Sequence, residues 1–422
     1  MNPRLLVEKS LYRLAWLLVL PVLPVRLFLR GLKEPGYLHH WNERFGGGQE
    51  VAQHPVWIHA VSVGEMQAAA PLVLALQKHY PEIPILLTCM TATGRQAAHR
   101  LFGKSVSVRY LPYDYPWSTN RFLNRNRPCM GLLMETEIWP GLVSACHASH
   151  VPIYLANARL SVKSAQGYGR LPALMRDTLR KFSAVAAQYE DDAERFEKLG
   201  AENVTVTGSL KFDLKSPQSL IDQGKLWRSI WGSERPVLLA ASTRPGEEAL
   251  ILQAFATHAP DSWLLVLVPR HPQRFDEVAS LIEKAGLSYQ RRSNEIRLSP
   301  NTRVMLGDSM GEMISYYTAS DVAFIGGSLL PFGGQNLIEA AACGVPVLVG
   351  PHTYNFARVA DMAEANGAAR RVESAEDLIA VARELFLAKQ ARAAMGQAAL
   401  EFARAHRGAT EKVLALIARD LN

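Results

Sequence analysis

The sequence lacks most of the residues that announce a chemistry by themselves. Its 422 residues include four cysteines, Cys89, Cys129, Cys146 and Cys343, each alone in an apolar run and none in C-x-x-C spacing. That argues against a disulfide framework or a thiol redox motif and suits reduced core residues of a cytoplasmic protein. No Cys/His cluster has metal-ligand spacing, so no metal and no cofactor is expected. No D-x-D pair is present to hold a divalent ion against a diphosphate. A G-x-x-x-x-G-K-[ST] loop is absent, and no G-x-G-x-x-G opens the first βα unit of either half, which removes the usual triphosphate and dinucleotide signatures. There is no arginine-rich arm and no lysine block, so nucleic acid is not an expected partner.

Long apolar runs are missing as well. A spanning helix needs about 20 apolar residues, and the longest candidate, Leu14 to Val25, is shorter and carries Pro21 and Pro24. No small-residue cleavage site follows it, so it does not read as a signal peptide. Arg4, Lys9 and Arg13 precede it, and Arg26, Arg30 and Lys33 follow. Residues 1–34 therefore read either as a basic-flanked core helix or, as we favour, as a segment lying in the interface of the cytoplasmic leaflet of the inner membrane. In the second case the arginines meet anionic lipids.

What remains is a well-supplied globular chain. Hydrophobic residues make up 48% and charged residues 20%, ordinary values for a folded protein. The length suits two α/β domains, expected at 35–213 and 214–422. A net charge of +7 fits anionic lipid or phosphorylated substrates. In the first half, VWIHAVSV, IPILLTCM, CMGLLME, VPIYLAN and FSAVAAQ read as strands, with helices such as Glu65 to Lys78 and Asp191 to Leu199 between them. In the second, PVLLAAST and WLLVLVPR precede the Arg303 region. DLKSPQSLIDQGKLW, with Pro217 and Gly224, reads as a linker plus a short helix. Strands alternating with helices imply an α/β protein with two doubly wound parallel sheets and an active site in a cleft between the domains.

The stretch Arg303 to Phe356 is the richest. RVMLG and VAFIGG are short buried strands ending in glycine. After Gly326-Gly327-Ser328, and again after Gly333-Gly334, the chain can turn and open a helix whose free N–H groups attract phosphate. Either these glycines cradle a nucleotide or they only let helix and sheet pack closely. Glu339, one turn into the second helix, is suited to a ribose diol. Gly307 to Glu312 makes a similar turn. Arg270-His271 ends a strand, where a guanidinium fork suits a phosphate, while His271 is either a second donor or a turn residue. In the first half Glu65 falls in the first turn of a helix, as a base or as a dipole-stabilising glutamate held ionised with a lowered pKa. Glu135 and Glu137 close a strand beside Trp139, and Lys211 follows another strand, by itself an unremarkable cation.

Taken in order, HAVSVGE, LLMETEIWP, NARLS, TGSLKFD, VPRHPQRF, GDSMGEM and IGGSLLPFGGQNLIEAA with GPHTYNF carry a resemblance that spans nearly the whole chain. The sequence resembles the 3-deoxy-D-manno-octulosonic acid (Kdo) transferases of lipopolysaccharide biosynthesis. The resemblance implies a GT-B fold, with a lipid A precursor as acceptor on the first domain and CMP-Kdo as donor on the second. It implies Glu65 as general base for the glucosamine 6′-hydroxyl, with inversion, and Glu135 and Lys211 as transition-state stabilisers. Pro269, Arg270, Met310, Gly311, Glu312, Asn336 and Glu339 would then hold CMP, and Gly327 and Ser328 join them by position. One departure is Gln335, where some members carry histidine, which leaves that side chain's contact open. Another enzyme of the same architecture, such as a nucleotide-sugar epimerase, is the alternative, though a soluble substrate gives no reason for the apolar amino terminus.

Overall fold

The computed structural model describes residues 3–51, 54–294 and 297–421. Contacts divide the chain into two compact units, Met1–Leu214 with His406–Asn422, and Lys215–Ala405.

The first unit is built on a seven-stranded parallel sheet: β1 Val56–His59, β2 Ile85–Cys89, β3 Ser107–Tyr110, β4 Met130–Met134, β5 Ile153–Ala158, β6 Ala184–Ala187 and β7 Val204–Val206. Their order is β3-β2-β1-β4-β5-β6-β7. β1, β2, β4, β5 and β6 are buried along their whole length, which is why they read as unbroken apolar runs. The second unit repeats the plan with β8 Val237–Thr243, β9 Leu264–Pro269, β10 Tyr289–Arg291, β11 Val304–Leu306, β12 Val322–Ile325, β13 Val347–Val349 and β14 Ala369–Arg371. Here the order is β10-β11-β9-β8-β12-β13-β14. Each order reverses direction once, at β1/β4 and at β8/β12, and the crevice at such a switch point is where open α/β sheets take ligands.

Three sequence expectations need correction. No helix follows Gly326-Gly327-Ser328, and after Gly333-Gly334 the only helix is short, Ile338–Ala342, so Glu339 is its second residue rather than one turn in. The presumed linker is mostly the helix Gln218–Trp231. Its Gly224 is a packing residue, because a Cβ there would stand 2.6 Å from the Ser315 carbonyl and 2.6 Å from Thr318 Cβ. Finally, the tail from His406 belongs with the first unit, not with 214–422. Val413, Leu414 and Ile417 of the helix Ala409–Ile417 are buried in the first core, with Met66 and Leu72. Asp213 fastens that helix, accepting from the N–H groups of Gly408 (2.7 Å) and Thr410 (2.6 Å) and from the Thr410 hydroxyl (2.7 Å).

The amino terminus forms two helices, α1 Pro3–Val19 and α2 Val22–Lys33, bent by 52° where Pro21 interrupts the run. Among the described residues no single helix is long and apolar enough to cross a membrane, although the bent pair meets that test together. One face is fixed to the protein. Leu23 and Leu27 are buried, Trp16 stacks edge-on to Tyr115, and the Tyr12 hydroxyl donates to Asp114 at 2.6 Å. The other face leaves Leu14, Leu17, Leu18, Val25, Phe28 and Leu29 exposed, Leu18 by 69%.

Asp213→Ala removes three hydrogen bonds that hold the last helix, each a capping contact of about 0.5–1.5 kcal/mol. Amides of Ala409–Ile417 are expected to exchange with deuterium much faster in the variant while those of β8 and β9 do not change; equal protection of the tail would refute the anchoring role.

Candidate active site

In the first unit the switch point is flanked by the loops after β1 and β4. After β1 the chain enters α3, Val63–His79, with Ser62 as N-cap. Glu65 is thus in the first helical turn, as expected, but its side chain curls back so that Oε2 accepts from the Val61 N–H at 2.8 Å. Its protonation differs from expectation. Burial dominates and pushes the carboxyl up to about 8, assisted by the charges of Glu135 and Glu137 and only partly offset by the Val61 N–H and Lys211. The helix terminus does not hold it down. A carboxylate near neutral pKa is a much better proton acceptor than a solvated one.

Glu135 leaves β4 in the left-handed region, φ 55°, a conformation that costs a non-glycine residue about 1–3 kcal/mol and concentrates at functional sites. Its Oε1 lies 3.1 Å from Lys211 Nζ. Lys211 sits on the single-turn 3₁₀ helix Leu210–Asp213, and the Leu210 N–H is held by Asn157 Oδ1 at 3.0 Å. Asn157, at the end of the neighbouring β5, is also left-handed, φ 53°. It therefore positions Lys211, a role carried in NARLS that residue-type reasoning alone did not assign. Glu137 diverges from Glu135. Its Oε2 accepts from Trp139 Nε1 at 2.7 Å and lies 3.7 Å from Nε2 of the fully buried His59. The structure thus brings together Glu65, Glu135, Glu137 and Lys211.

In the second unit Pro269 ends β9, the Arg270 N–H donates to the Thr243 carbonyl at 3.0 Å, and Arg270 is exposed. Burial raises the Glu339 carboxyl above its ordinary value, countered by a hydrogen bond from Asn336 and by the charge of Arg270. Asn336 does two things: Nδ2 donates to Glu339 Oε1 at 3.3 Å, and Oδ1 accepts from the Ile338 N–H at 3.1 Å. Arg270, Asn336 and Glu339 accordingly form one cluster. Met310 is exposed, and Gly311 takes φ 83°, which a side chain would strain. The Glu312 carboxylate is already engaged by Gln223 (3.0 Å) and Arg292 (2.9 Å).

Gly327 and Ser328 do not offer the donors expected of them. The Gly327 N–H is taken by Glu247 Oε2 at 2.7 Å, and the Leu329 N–H by Glu247 Oε1 at 2.9 Å. A fully buried carboxyl, its pKa raised by burial and countered by these N–H groups, already fills that cradle, so the donors a phosphate would need are taken. The Ser328 hydroxyl is also buried, donating to the Ile325 carbonyl and accepting from the Gly350 N–H. His271 is a partner rather than an independent donor. Burial and nearby arginines lower its pKa, and the neutral ring's Nε2 lies 2.6 Å from Arg244 Nη1. Asn355 holds its loop, with Nδ2 donating to the Phe332 carbonyl at 3.0 Å.

Known proteins bear on this pair of sites. Residues 39–214 match the family model described as 3-deoxy-D-manno-octulosonic-acid transferase (kdotransferase), and residues 251–402 match glycosyl transferases group 1. A 3-deoxy-D-manno-octulosonic acid transferase of Bordetella pertussis is 46% identical over 374 residues, covering 85% of this chain and 86% of its own. That of Haemophilus influenzae is 38% identical over 406 residues, covering 94% and 95%. Among solved structures, a UDP-GlcNAc 2-epimerase from Neisseria meningitidis superposes with TM-score 0.60 at 16% identity, covering 87% of this chain and 100% of its own. A glycosyltransferase from Rickettsia africae gives TM-score 0.60 at 12% identity, covering 87% and 99%. These last two share the α/β GT-B fold, and at such identity the epimerase likeness extends no further. The chain is a glycosyltransferase and belongs to the 3-deoxy-D-manno-octulosonic acid transferase family.

Proposed function

We propose that this Kdo transferase uses CMP-Kdo as donor and transfers Kdo, with inversion, to the 6′-hydroxyl of a tetra-acylated lipid A precursor in lipopolysaccharide biosynthesis. The observation that carries the chemistry is the buried carboxyl of Glu65, pushed up to about 8, beside the Glu135–Lys211 pair. Glu65 takes the proton as the acceptor O–H bond breaks and its oxygen bonds the anomeric carbon. The bond from that carbon to the phosphate oxygen breaks at the same time, and CMP leaves with the electron pair. Positive charge develops on the sugar while two anions, the Kdo carboxylate and the phosphate, lie close by. Glu135 and Lys211 supply both signs of counter-charge, and fixed charges in a water-poor site act with little reorganisation.

CMP falls to the second unit, with Arg270 on the phosphate and Glu339, oriented by Asn336, on the ribose. Pro269, Met310 and Gly311 supply backbone, and Glu312 braces the turn through Arg292 and Gln223. A single phosphate needs no divalent clamp when a guanidinium meets it, so the proposed reaction is metal-independent. The proposed location is the cytoplasmic face of the inner membrane. The exposed leucines of α1 and α2 would enter the headgroup boundary and Arg13, Arg26, Arg30 and Lys33 would meet anionic lipid, each basic residue contributing about 1 kcal/mol. The direct test is purified protein with CMP-Kdo and tetra-acylated precursor, products weighed by mass spectrometry. No mass increase of one Kdo residue, or an increase without matching release of CMP, would overturn the donor assignment.

Three outcomes follow from these roles. Wild-type turnover is expected to climb with pH towards about 8 as Glu65 loses its proton, and Glu65→Gln to bind CMP normally yet lose about 10²- to 10⁴-fold in transfer; near-normal turnover would remove Glu65 as the base. Arg270→Ala and Glu339→Ala are each expected to weaken CMP binding about ten- to a hundredfold, and calorimetric titration showing both unchanged would rule out the nucleotide cluster. Serine at Leu14, Leu17 and Leu18 together is expected to release the protein from anionic vesicles while transfer to detergent-dispersed acceptor falls much less. Leu20 is spared because it packs inward beside Leu23. Co-sedimentation equal to wild type would end the interfacial reading.

A further inference from the structure

At the switch point of the second sheet a cation stands without a counter-ion. Ser242, next to the end of β8, takes the left-handed φ of 56°, a strained conformation that concentrates at functional sites. The pairing of β8 with β9 is irregular there, between Ala241 and Thr243. Arg244 follows at once, at the carboxyl end of a strand whose neighbours are β9 and β12. Its contacts hold it without neutralising it. The Arg244 N–H donates to Glu247 Oε2 at 2.8 Å, and Nη1 donates to His271 Nε2 at 2.6 Å. The guanidinium carbon stands 4.9 Å from the Phe332 ring centroid. Cγ lies against Gly327, 3.3 Å from where a Cβ on that glycine would stand. Among the described residues the guanidinium joins no ion pair.

A second cation stands beside it. The Thr243 carbonyl accepts from the Arg270 N–H at 3.0 Å, which stitches the ends of β8 and β9 together. Arg270 also joins no ion pair among the described residues, whereas Arg274 is spent on Glu248 and Glu277. His271 links the two free guanidiniums, following one in sequence and accepting from the other. Burial and the charges of Arg244, Arg270 and Arg274 lower its pKa, so the ring is neutral and cancels neither charge. Like charges gathered at a strand-end crevice without a counter-charge attract anions. The proposed donor brings two. In a nucleotide-activated ulosonic acid one tetrahedral carbon bears both the phosphate oxygen and the carboxylate, so their receptors must be neighbours.

We infer that Arg244 receives the carboxylate on the anomeric carbon of the donor sugar, with His271 as a positioning residue that holds the guanidinium in place. The inference rests on the proposed CMP-Kdo donor and adds how the acid group of its sugar is selected. Nη1 is engaged by His271 and Nε is buried. Nη2 is the nitrogen left to present, and it makes no hydrogen bond among the described residues. A charge-assisted bond from it to a carboxylate is roughly twice as strong as one to a neutral hydroxyl, which makes the site a filter against neutral sugars on the same nucleotide. A second hold on the phosphate is the rival role for Arg244. Charge matching favours the carboxylate, because a phosphodiester carries one negative charge and Arg270 already answers it.

The test is surface plasmon resonance in the cold, with brief injections of fresh CMP-Kdo or of CMP over the immobilised protein and no acceptor present. Arg244→Gln is expected to weaken CMP-Kdo about ten- to a hundredfold and to change CMP far less, whereas Arg270→Ala weakens both. Arg244→Lys keeps the charge and the apolar stem, and His271→Ala frees the guanidinium. Each is expected to lose a smaller part of the affinity for CMP-Kdo while holding CMP, and the two decide the question if Arg244→Gln does not fold. Equal losses for both ligands would put Arg244 on the phosphate or in the frame of its loop and overturn the inference. CMP-Kdo affinity that no variant at Arg244 or His271 alters would overturn it too, with the donor left standing. A wild type that binds CMP but not CMP-Kdo overturns the donor assignment and this subsite together. CMP-Kdo binding that depends on Arg244, found without any transfer to the lipid, leaves the subsite standing and the proposed reaction fallen.

Discussion

Withdrawing the Glu65 carboxyl from water is the constraint on which the first unit's chemistry turns. Two opposing effects act on it. The helix start favours the ionised form by about 0.3–1 kcal/mol, whereas the rise from 4.5 to about 8 corresponds to about 5 kcal/mol in favour of the neutral form. Burial wins by a wide margin even with the Val61 N–H and Lys211 pulling the other way. The sign for stability follows from that direction. The folded state binds this proton more tightly than the unfolded chain, so the cost is absent below about pH 4.5, grows as pH rises and is complete above about 8. The fold thus carries a penalty in the range where the proposed base works, and the strained backbone of Glu135 beside it is a second.

The two switch points each hold a carboxyl raised in pKa by burial but surround it differently. At β1/β4 the Glu65 side chain is bonded by one N–H and raised in pKa by burial, with its carboxylate neighbours assisting, which leaves it proton-hungry. At β8/β12 Glu247 accepts from the N–H groups of Arg244, Gly327 and Leu329 and serves as an internal stand-in for the anion that a glycine-rich turn would otherwise attract. At the end of β9 Arg270 is exposed and acts on Glu339. Arg274, in the same VPRHPQRF stretch, is instead committed to the buried Glu248 at 2.6 Å. One motif holds an exposed arginine and a structural one, and only tertiary burial separates them.

The alternation of apolar strands with helices made the two-sheet class legible, because parallel strands buried on both faces leave continuous runs. The strands that escaped notice are edge or near-edge strands without that signature: β3 is buried only at alternate positions, β10 is half-exposed throughout, and β14 is three residues long. The place of Glu65, Glu135 and Lys211 after strands was legible from the apolar runs that precede them. Gly327 and Ser328 were misjudged since a glycine turn looks the same in sequence whether a ligand or Glu247 fills it.

The amphipathic helices are more than an attachment. Tyr12 donates to Asp114, and Asp114 in turn accepts from the N–H groups of Gly141 and Leu142 at 2.8 and 2.5 Å, capping the helix Pro140–Ala148 that follows Trp139. Glu8 accepts from the Leu174 N–H at 2.8 Å, capping the helix Pro172–Leu179. Trp16 meets Trp139 at 6.0 Å between ring centroids, and Trp139 orients Glu137. A buried hydrogen-bonded carboxylate that caps a helix resists displacement, since moving it leaves several donors unpaired at once. The helices that carry the exposed leucines are therefore tied by continuous contacts to Glu137 and the helix after Trp139, so the orientation of α1 and α2 bears on the setting of the carboxylates near Glu65.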